Sequence, residues 1–203
     1  MNKTINLINK GINFGLIIFM IYKIVVDISY MSFSKILTVL SIIPILLVPY
    51  LVRKILKYKM SEVLKLIYYL FVIVALVLGS ILGWYYKVSW FDLLAHFLSG
   101  VLTSFCSLIL LKEKKILKVE NIGFIILYMI SITLMIASLW EFFEFFSDKL
   151  LGGDAQWVLK TGVDDTMTDM LIAFLGSIGF SIYFLVQSNL DEKRFMKLLN
   201  KVL

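Results

Sequence analysis

Three short segments of the sequence each carry a pair of ionisable residues three or four positions apart, a spacing that puts both side chains on one helix face. The pairs are Asp92 with His96, Glu141 with Glu144, and Asp165 with Asp169. Clustered carboxylates must share protons or bind a cation, and carboxylates with one imidazole suit hard or borderline divalent ions. These six side chains therefore predict a divalent metal site for Mg²⁺, Mn²⁺, Ca²⁺ or Zn²⁺.

A metal ion held in this way would activate water or polarise a phosphoryl or carbonyl oxygen. His96 and Glu144 are the predicted catalytic residues, with Glu144 as general base if it stays unligated. The sequence has no clear nucleophile motif, since it contains no GxSxG, HExxH or P-loop. Four nearby hydroxyls are candidates to support the ligands, namely Ser138, Ser147, Thr166 and Thr168.

Structural roles are the alternative for several of these residues. Asp92 and Asp165 stand where a helix is expected to begin, and a negative charge is favourable there. His96 could be a packed core histidine. Glu141 and Glu144 stand at a predicted helix C-terminus, where the helix dipole disfavours carboxylates. The dipole therefore does not explain this second pair.

The elements that position these residues are membrane spans. The chain has 203 residues, of which 61% are hydrophobic and 17% charged, whereas soluble domains are roughly 45–50% apolar and about 25% charged. A span needs roughly 20 apolar residues. The chain is therefore predicted to be a single all-α integral membrane domain, residues 1–203, a helical bundle with spans at about residues 9–30, 34–52, 64–86, 91–111, 121–146 and 165–190.

Orientation follows from the basic residues between these spans. Fifteen of the 20 Lys and Arg residues fall on one side and five on the other, and the richer side is expected to be cytoplasmic. Both termini are then cytoplasmic, and the polar pairs lie on the extracytoplasmic side of the cell membrane. The net charge of +6 is thus assigned to topology and lipid contact, and no nucleic-acid partner is expected.

The polar pairs are expected near the outer hydrocarbon boundary. About 20 uncharged residues precede Glu141 in its span, which is already enough to cross the bilayer. Small residues continue the polar faces inward, with Gly100 and Ser104 in one helix and Ala173, Gly176 and Ser177 in another, which predicts close helix packing. The connector LLGGDAQWVLKTGV between the last two spans is either a lid over the pairs or a plain link.

The order DxxxH, WExxE and DDTxxD over Trp90–Ser181 resembles the YjdF-like family of uncharacterised bacterial inner-membrane proteins and, more distantly, the VanZ-like group. The resemblance implies a polytopic inner-membrane protein, and the VanZ-like likeness leans toward envelope or antibiotic resistance. It carries over the family-type polar positions Asp92, His96, Trp140, Glu141, Glu144, Asp165 and Asp169.

Three function classes remain open from the sequence. The first is a metal-dependent hydrolase or transferase acting on a lipid or envelope precursor at the outer face. The second is a non-enzymatic envelope-binding or stress-resistance protein that holds a cationic ligand or a metal-bridged lipid. The third is an ion-coupled transporter, although carriers usually place ionisable groups nearer the midplane.

Overall fold

The computed structural model describes residues 2–31, 33–117 and 121–202. Within these ranges every regular element is helical and no strand occurs, which confirms the all-α class. Six helical segments of the described chain are long and apolar enough to cross a membrane, as the sequence predicts; they are Lys3–Ser29, Thr38–Ile55, Glu62–Ile81, Phe91–Glu113, Ile122–Leu150 and Asp164–Leu190. The side on which the termini lie stays a prediction.

The chain divides into two compact units. The first contains the chain up to Ser89 together with Val202, and the second contains Trp90–Lys201. All six candidate ligands fall in the second unit. The prediction that residues 1–203 form a single domain stays a prediction.

The first unit contains α1 (Asn2–Ser29), α2 (Phe33–Leu46), α3 (Val48–Ile55), α4 (Glu62–Val72), a π-helix (Ile73–Ile81) and α5 (Trp84–Lys87). The predicted second span is two helices, because Pro49 in the first turn of α3 has no N–H with which to bond the carbonyl of Ile45. The Tyr68 hydroxyl donates to that carbonyl instead, at 2.6 Å. A side chain of α4 thereby satisfies the acceptor that the proline leaves open.

The predicted third span, residues 64–86, is also interrupted. Its α-helical part ends at Val72, the π-helix follows, and Gly83 turns the chain in the left-handed region with φ +72°. This turn brings the ring of Tyr85 back over Gly79, where a Cβ would lie 2.5 Å from the ring. The span therefore ends near Ile81 rather than at Tyr86.

A polar contact joins α1 to α4. The buried Asn9 side chain donates to the backbone carbonyl of Glu62 at 2.8 Å and to its carboxylate at 2.9 Å. Lys65 forms an ion pair with the other carboxylate oxygen of Glu62 at 2.7 Å. The carboxylate charge is therefore matched by a lysine one turn away on the same helix.

The second unit contains α6 (Phe91–Glu113), α7 (Ile122–Leu151), α8 (Val158–Thr161) and α9 (Asp164–Val202). The backbones of α6 and α9 are in direct contact. A Cβ at Gly100 would overlap the carbonyl of Ala173, and a Cβ at Gly176 would overlap the carbonyl of Phe97. The close packing predicted from the small residues is confirmed, because only glycine leaves room for the neighbouring backbone at these two positions.

Three buried hydroxyls join all three long helices of this unit. The Ser104 hydroxyl in α6 bonds Ser177 in α9 at 2.7 Å and Thr133 in α7 at 3.1 Å. All three side chains are buried. This hydroxyl trio sets the position of each helix, along its axis, relative to the other two.

Beyond the hydroxyl trio, away from the polar pairs, the unit is closed by an apolar cluster of Leu108, Leu111, Ile125, Met129, Phe184, Phe195 and Leu199. The last two residues come from a part of α9 that the sequence places outside the span, which was predicted to end near residue 190. The helix continues to Val202 because Phe195 and Leu199, four residues apart, both pack on this cluster.

Candidate metal centre

The helix register brings the polar pairs to one level of the second unit. His96 precedes the α6 member of the hydroxyl trio by eight residues, and Asp169 precedes the α9 member by eight. Glu141 follows the α7 member by the same number, and α7 crosses the unit in the direction opposite to α6 and α9. Eight residues are about 12 Å of helix. We call this level, where α6 and α9 begin and α7 ends, the polar end.

Three of the six candidate ligands meet closely at the polar end. The Nε2 atom of His96 lies 3.5 Å from an oxygen of Asp92 and 3.5 Å from an oxygen of Asp169. One ligand atom from each residue lies within 4.8 Å of the other two. The i,i+4 spacing on α6 brings Asp92 to His96, and the glycine contact between α6 and α9 brings in Asp169.

The spacing in this group suits shared coordination better than direct hydrogen bonding. Hydrogen bonds from nitrogen to oxygen are usually about 2.9 Å long, and both contacts to His96 are longer. A tetrahedral ion with bonds of about 2.1 Å separates its ligand atoms by roughly 3.4 Å. One nitrogen and two carboxylate oxygens would leave at least one position open for water or a substrate atom.

Exposure differs sharply across the group. The Asp169 side chain is 4% exposed and that of His96 12%, whereas that of Asp92 is 31% exposed. Access to the group is therefore on the Asp92 side. A buried carboxylate such as Asp169 is costly unless it is paired, hydrogen-bonded or bound to a metal.

Glu144 lies outside the group of three but close to it. Its charge interacts with those of Asp92, Asp169 and Glu141. One of its carboxylate oxygens accepts a hydrogen bond from the indole Nε1 of Trp140 at 2.9 Å. Trp140, the family-type tryptophan, thus orients an acid at the polar end.

Glu141 is 4% exposed and is held by a residue that sequence reasoning missed. The Nε2 atom of Gln156 lies 3.4 Å from a Glu141 carboxylate oxygen, 3.3 Å from its backbone carbonyl and 3.1 Å from the Thr166 hydroxyl. Gln156 comes from the connector between α7 and α9, which therefore contacts the polar end. No spacing rule in the sequence singles out a lone glutamine in a loop.

Asp148, at the end of α7, shapes this connector. Its two carboxylate oxygens accept the backbone N–H groups of Ala155 at 2.7 Å and Gln156 at 3.1 Å. Gly152 ends α7 in the left-handed region with φ +71° and donates its N–H to the Asp148 carbonyl. The conformation of the connector is thus stabilised by the Asp148 carboxylate and by the left-handed turn at Gly152.

Asp165 is the remaining candidate ligand. It lies in the first turn of α9, outside the group of three, and its charge interacts with those of Asp92, Asp169 and Glu141. Its position suits both a helix-dipole role and an electrostatic role at the polar end. Of the hydroxyl candidates, Thr166 bonds Gln156, as described, whereas Ser138 donates to a carbonyl of its own helix.

Residues 12–189 match a protein family described as "Predicted membrane protein (DUF2238)". The match covers most of both units and all six candidate ligands. The chain belongs to this family. Membership in DUF2238 confirms the resemblance to the YjdF-like membrane proteins, while the more distant VanZ-like likeness stays a prediction.

A Thermotoga maritima protein described as uncharacterized is 31% identical to this DUF2238 chain over 129 residues. The alignment spans 63% of this chain and 65% of that relative. No solved structure matches the chain.

Proposed function

We propose that this DUF2238 protein binds a divalent metal ion through Asp92, His96 and Asp169 and uses it in hydrolysis or group transfer on a lipid or envelope precursor. The observation that carries the proposal is the group of three ligand atoms, all within 4.8 Å of one another. The two separations of 3.5 Å from His96 to the carboxylates are close to those of ligands that share one metal ion.

The charge at the polar end supports a bound cation. Three further carboxylates, Glu141, Glu144 and Asp165, act electrostatically on the group. Among the described residues, no lysine or arginine forms an ion pair with any of these acids. A divalent ion would offset this negative charge, which is expensive to hold within a membrane span.

The residues of the polar end have separate roles in this proposal. A divalent ion held by Asp92, His96 and Asp169 would supply an activated water or a polarised substrate oxygen. Glu144 is the proposed general base, because Trp140 holds one carboxylate oxygen and leaves the other free to take a proton. The exposed side of Asp92 is the proposed entry for substrate.

The substrate class rests on depth and orientation. The excess of Lys and Arg on the other side of the spans favours an extracytoplasmic polar end. The uncharged run before Glu141 is long enough to cross the hydrocarbon. A site at that depth is level with lipid headgroups, which favours a membrane-held substrate over a soluble one.

Metal binding by the purified protein is the first test. After chelation and dialysis, titration with Mn²⁺ or Zn²⁺ should give one equivalent bound, and His96→Ala should weaken binding at least a hundredfold. Asp164→Asn is the matched control, because Asp164 is an exposed carboxylate in the first turn of α9. Absence of binding, or equal affinity in the His96 variant, would refute the proposal.

Non-enzymatic binding is the second candidate function, and the low exposure of His96 and Asp169 favours it. A metal ion held so deeply could anchor a lipid phosphate without reacting with it. Incubation of the metal-loaded protein with lipid vesicles, followed by mass spectrometry of the lipids, separates the two. Metal-dependent product that disappears in Glu144→Gln indicates turnover, whereas metal-dependent retention of unchanged lipid indicates binding.

A further inference from the structure

We propose that Gln156 is a positioning residue that keeps Glu141 out of the metal's coordination sphere. The inference rests on the proposed metal site. It explains what limits the protein ligands of the metal ion to three. It assigns a role to the connector between α7 and α9, which the sequence leaves as either a lid or a plain link.

Glu141 is well placed to compete for the metal ion. Its charge acts on both Asp92 and Asp169, and its side chain is buried at the same level of the unit. Without its hydrogen bonds, a carboxylate that acts on two of the three ligands would be a natural fourth protein ligand for a divalent ion. A fourth protein ligand would occupy the position that water or substrate needs.

Gln156 and Thr166 hold the Glu141 carboxylate. The Gln156 amide donates to a carboxylate oxygen and to the backbone carbonyl of Glu141, and it also reaches the Thr166 hydroxyl. The Thr166 hydroxyl in turn bonds the Glu141 carboxylate. Glu141 thus has neutral donors on two sides, which stabilise its charge without a metal bond.

The connector delivers Gln156 in a fixed pose. Asp148 accepts the N–H of Gln156 itself and of the residue before it, so the backbone at the amide is tied to the end of α7. The Gln156 side chain is buried, whereas its neighbour Ala155 is exposed. A pre-ordered donor loses little conformational entropy when it holds its acceptor.

Removal of the Gln156 amide is therefore expected to strengthen metal binding rather than to weaken it. In Gln156→Ala the carboxylate of Glu141 loses a donor and is free to turn toward the ion. We expect Mn²⁺ to bind about tenfold more tightly and to carry one fewer water molecule. A residue that merely supports the fold would weaken metal binding when it is removed.

The experiment combines Mn²⁺ titration with water-proton relaxation, which reports how many water molecules the ion holds. Gln156→Ala is compared with the wild-type protein and with Ala155→Ser, a change at the exposed neighbouring position. Glu141→Gln by itself should weaken binding, because it removes a negative charge that acts on Asp92 and Asp169. The added change Gln156→Ala in that variant should then alter neither affinity nor water count. Thr166→Val, which removes the other donor, should shift both in the same direction by about threefold in affinity.

The outcomes separate the two proposals. If the wild-type protein binds no Mn²⁺, the proposed function itself fails. If it binds Mn²⁺ but Gln156→Ala weakens binding or leaves affinity and water count unchanged, only the role of Gln156 is refuted. Thermal unfolding without metal shows whether each variant is folded, and if Gln156→Ala is not, Thr166→Val decides the matter.

Discussion

Two regions of this protein hold acids within apolar helices, and they balance charge differently. In the first unit, Glu62 is paired with Lys65 at 2.7 Å and Asp27 with Lys23 at 3.3 Å, each on its own helix. At the polar end of the second unit, the partner of Asp92 and Asp169 is His96, which is charged only when protonated.

The lysines near the polar end do not make up this difference. Lys149 lies over the ring of Phe145 at 5.7 Å, and Lys160 lies over the ring of Trp157 at 4.4 Å. Both are thus in contact with aromatic faces, where a cation is attracted to the ring. Acids matched one to one join neighbouring turns of a helix, whereas the unmatched acids are those that we propose to bind a cation.

The largest expected effect breaks the metal group directly. Asp169→Asn removes a ligand charge with little change in volume and should weaken Mn²⁺ binding at least a hundredfold, about 2.7 kcal/mol. Glu62→Gln is the matched change in the first unit and should leave the affinity unchanged. Isothermal titration of both variants measures the Mn²⁺ affinity. Comparable losses of affinity in the two variants would show that the acids of the two regions do not differ in cation binding.

Metal binding should also stabilise the folded protein. At a free metal concentration of a hundred times Kd, the expected gain is about 2.7 kcal/mol, because the ion binds the folded state. Thermal unfolding in detergent, with the metal and then with a chelator, measures the shift. His96→Ala should lose the metal-dependent shift while keeping the metal-free melting temperature close to that of the wild-type protein.

The glycine contact between α6 and α9 gives the next effect. Gly100→Ala places a methyl group against the carbonyl of Ala173 and should destabilise the protein by about 1–3 kcal/mol. The same change should weaken metal binding, because α6 carries two of the three ligands and α9 the third. Gly123→Ala, where a Cβ meets nothing within 4 Å, is the control, and an equal loss there would argue against the contact.

The smallest effect belongs to the charge-balanced region. Asn9→Ala removes two hydrogen bonds from α1 to α4 and should destabilise the protein by about 1 kcal/mol. Mn²⁺ affinity should not change, because the contact lies in the first unit and does not involve the three ligands. A decrease in affinity would show that the two regions are coupled, and titration beside thermal unfolding distinguishes the cases.

Periodicity in the sequence was enough to locate the long helices and to pair the polar residues, because both depend on spacing along one chain. It missed the interruption of the third span, since the Tyr85 ring over Gly79 is a contact that no local pattern encodes. The last span ends near residue 190 as predicted, but the continuation of its helix to Val202 was not predicted. The apolar pair Phe195 and Leu199 is helical in spacing, but its partners in α6 and α7 become visible only in three dimensions.

The sequence by itself determined an all-α membrane protein of six spans and the six polar side chains that its helices could place together, because composition and helical spacing follow directly from residue order. Only the tertiary structure decided that Asp92, His96 and Asp169 form the close group and that Glu141 is held instead by Gln156. That selection depends on how closely α6 and α9 approach and on where one loop folds back. The approach of the helices is set by contacts between residues far apart in the chain, and the loop is set by its contacts with the end of α7.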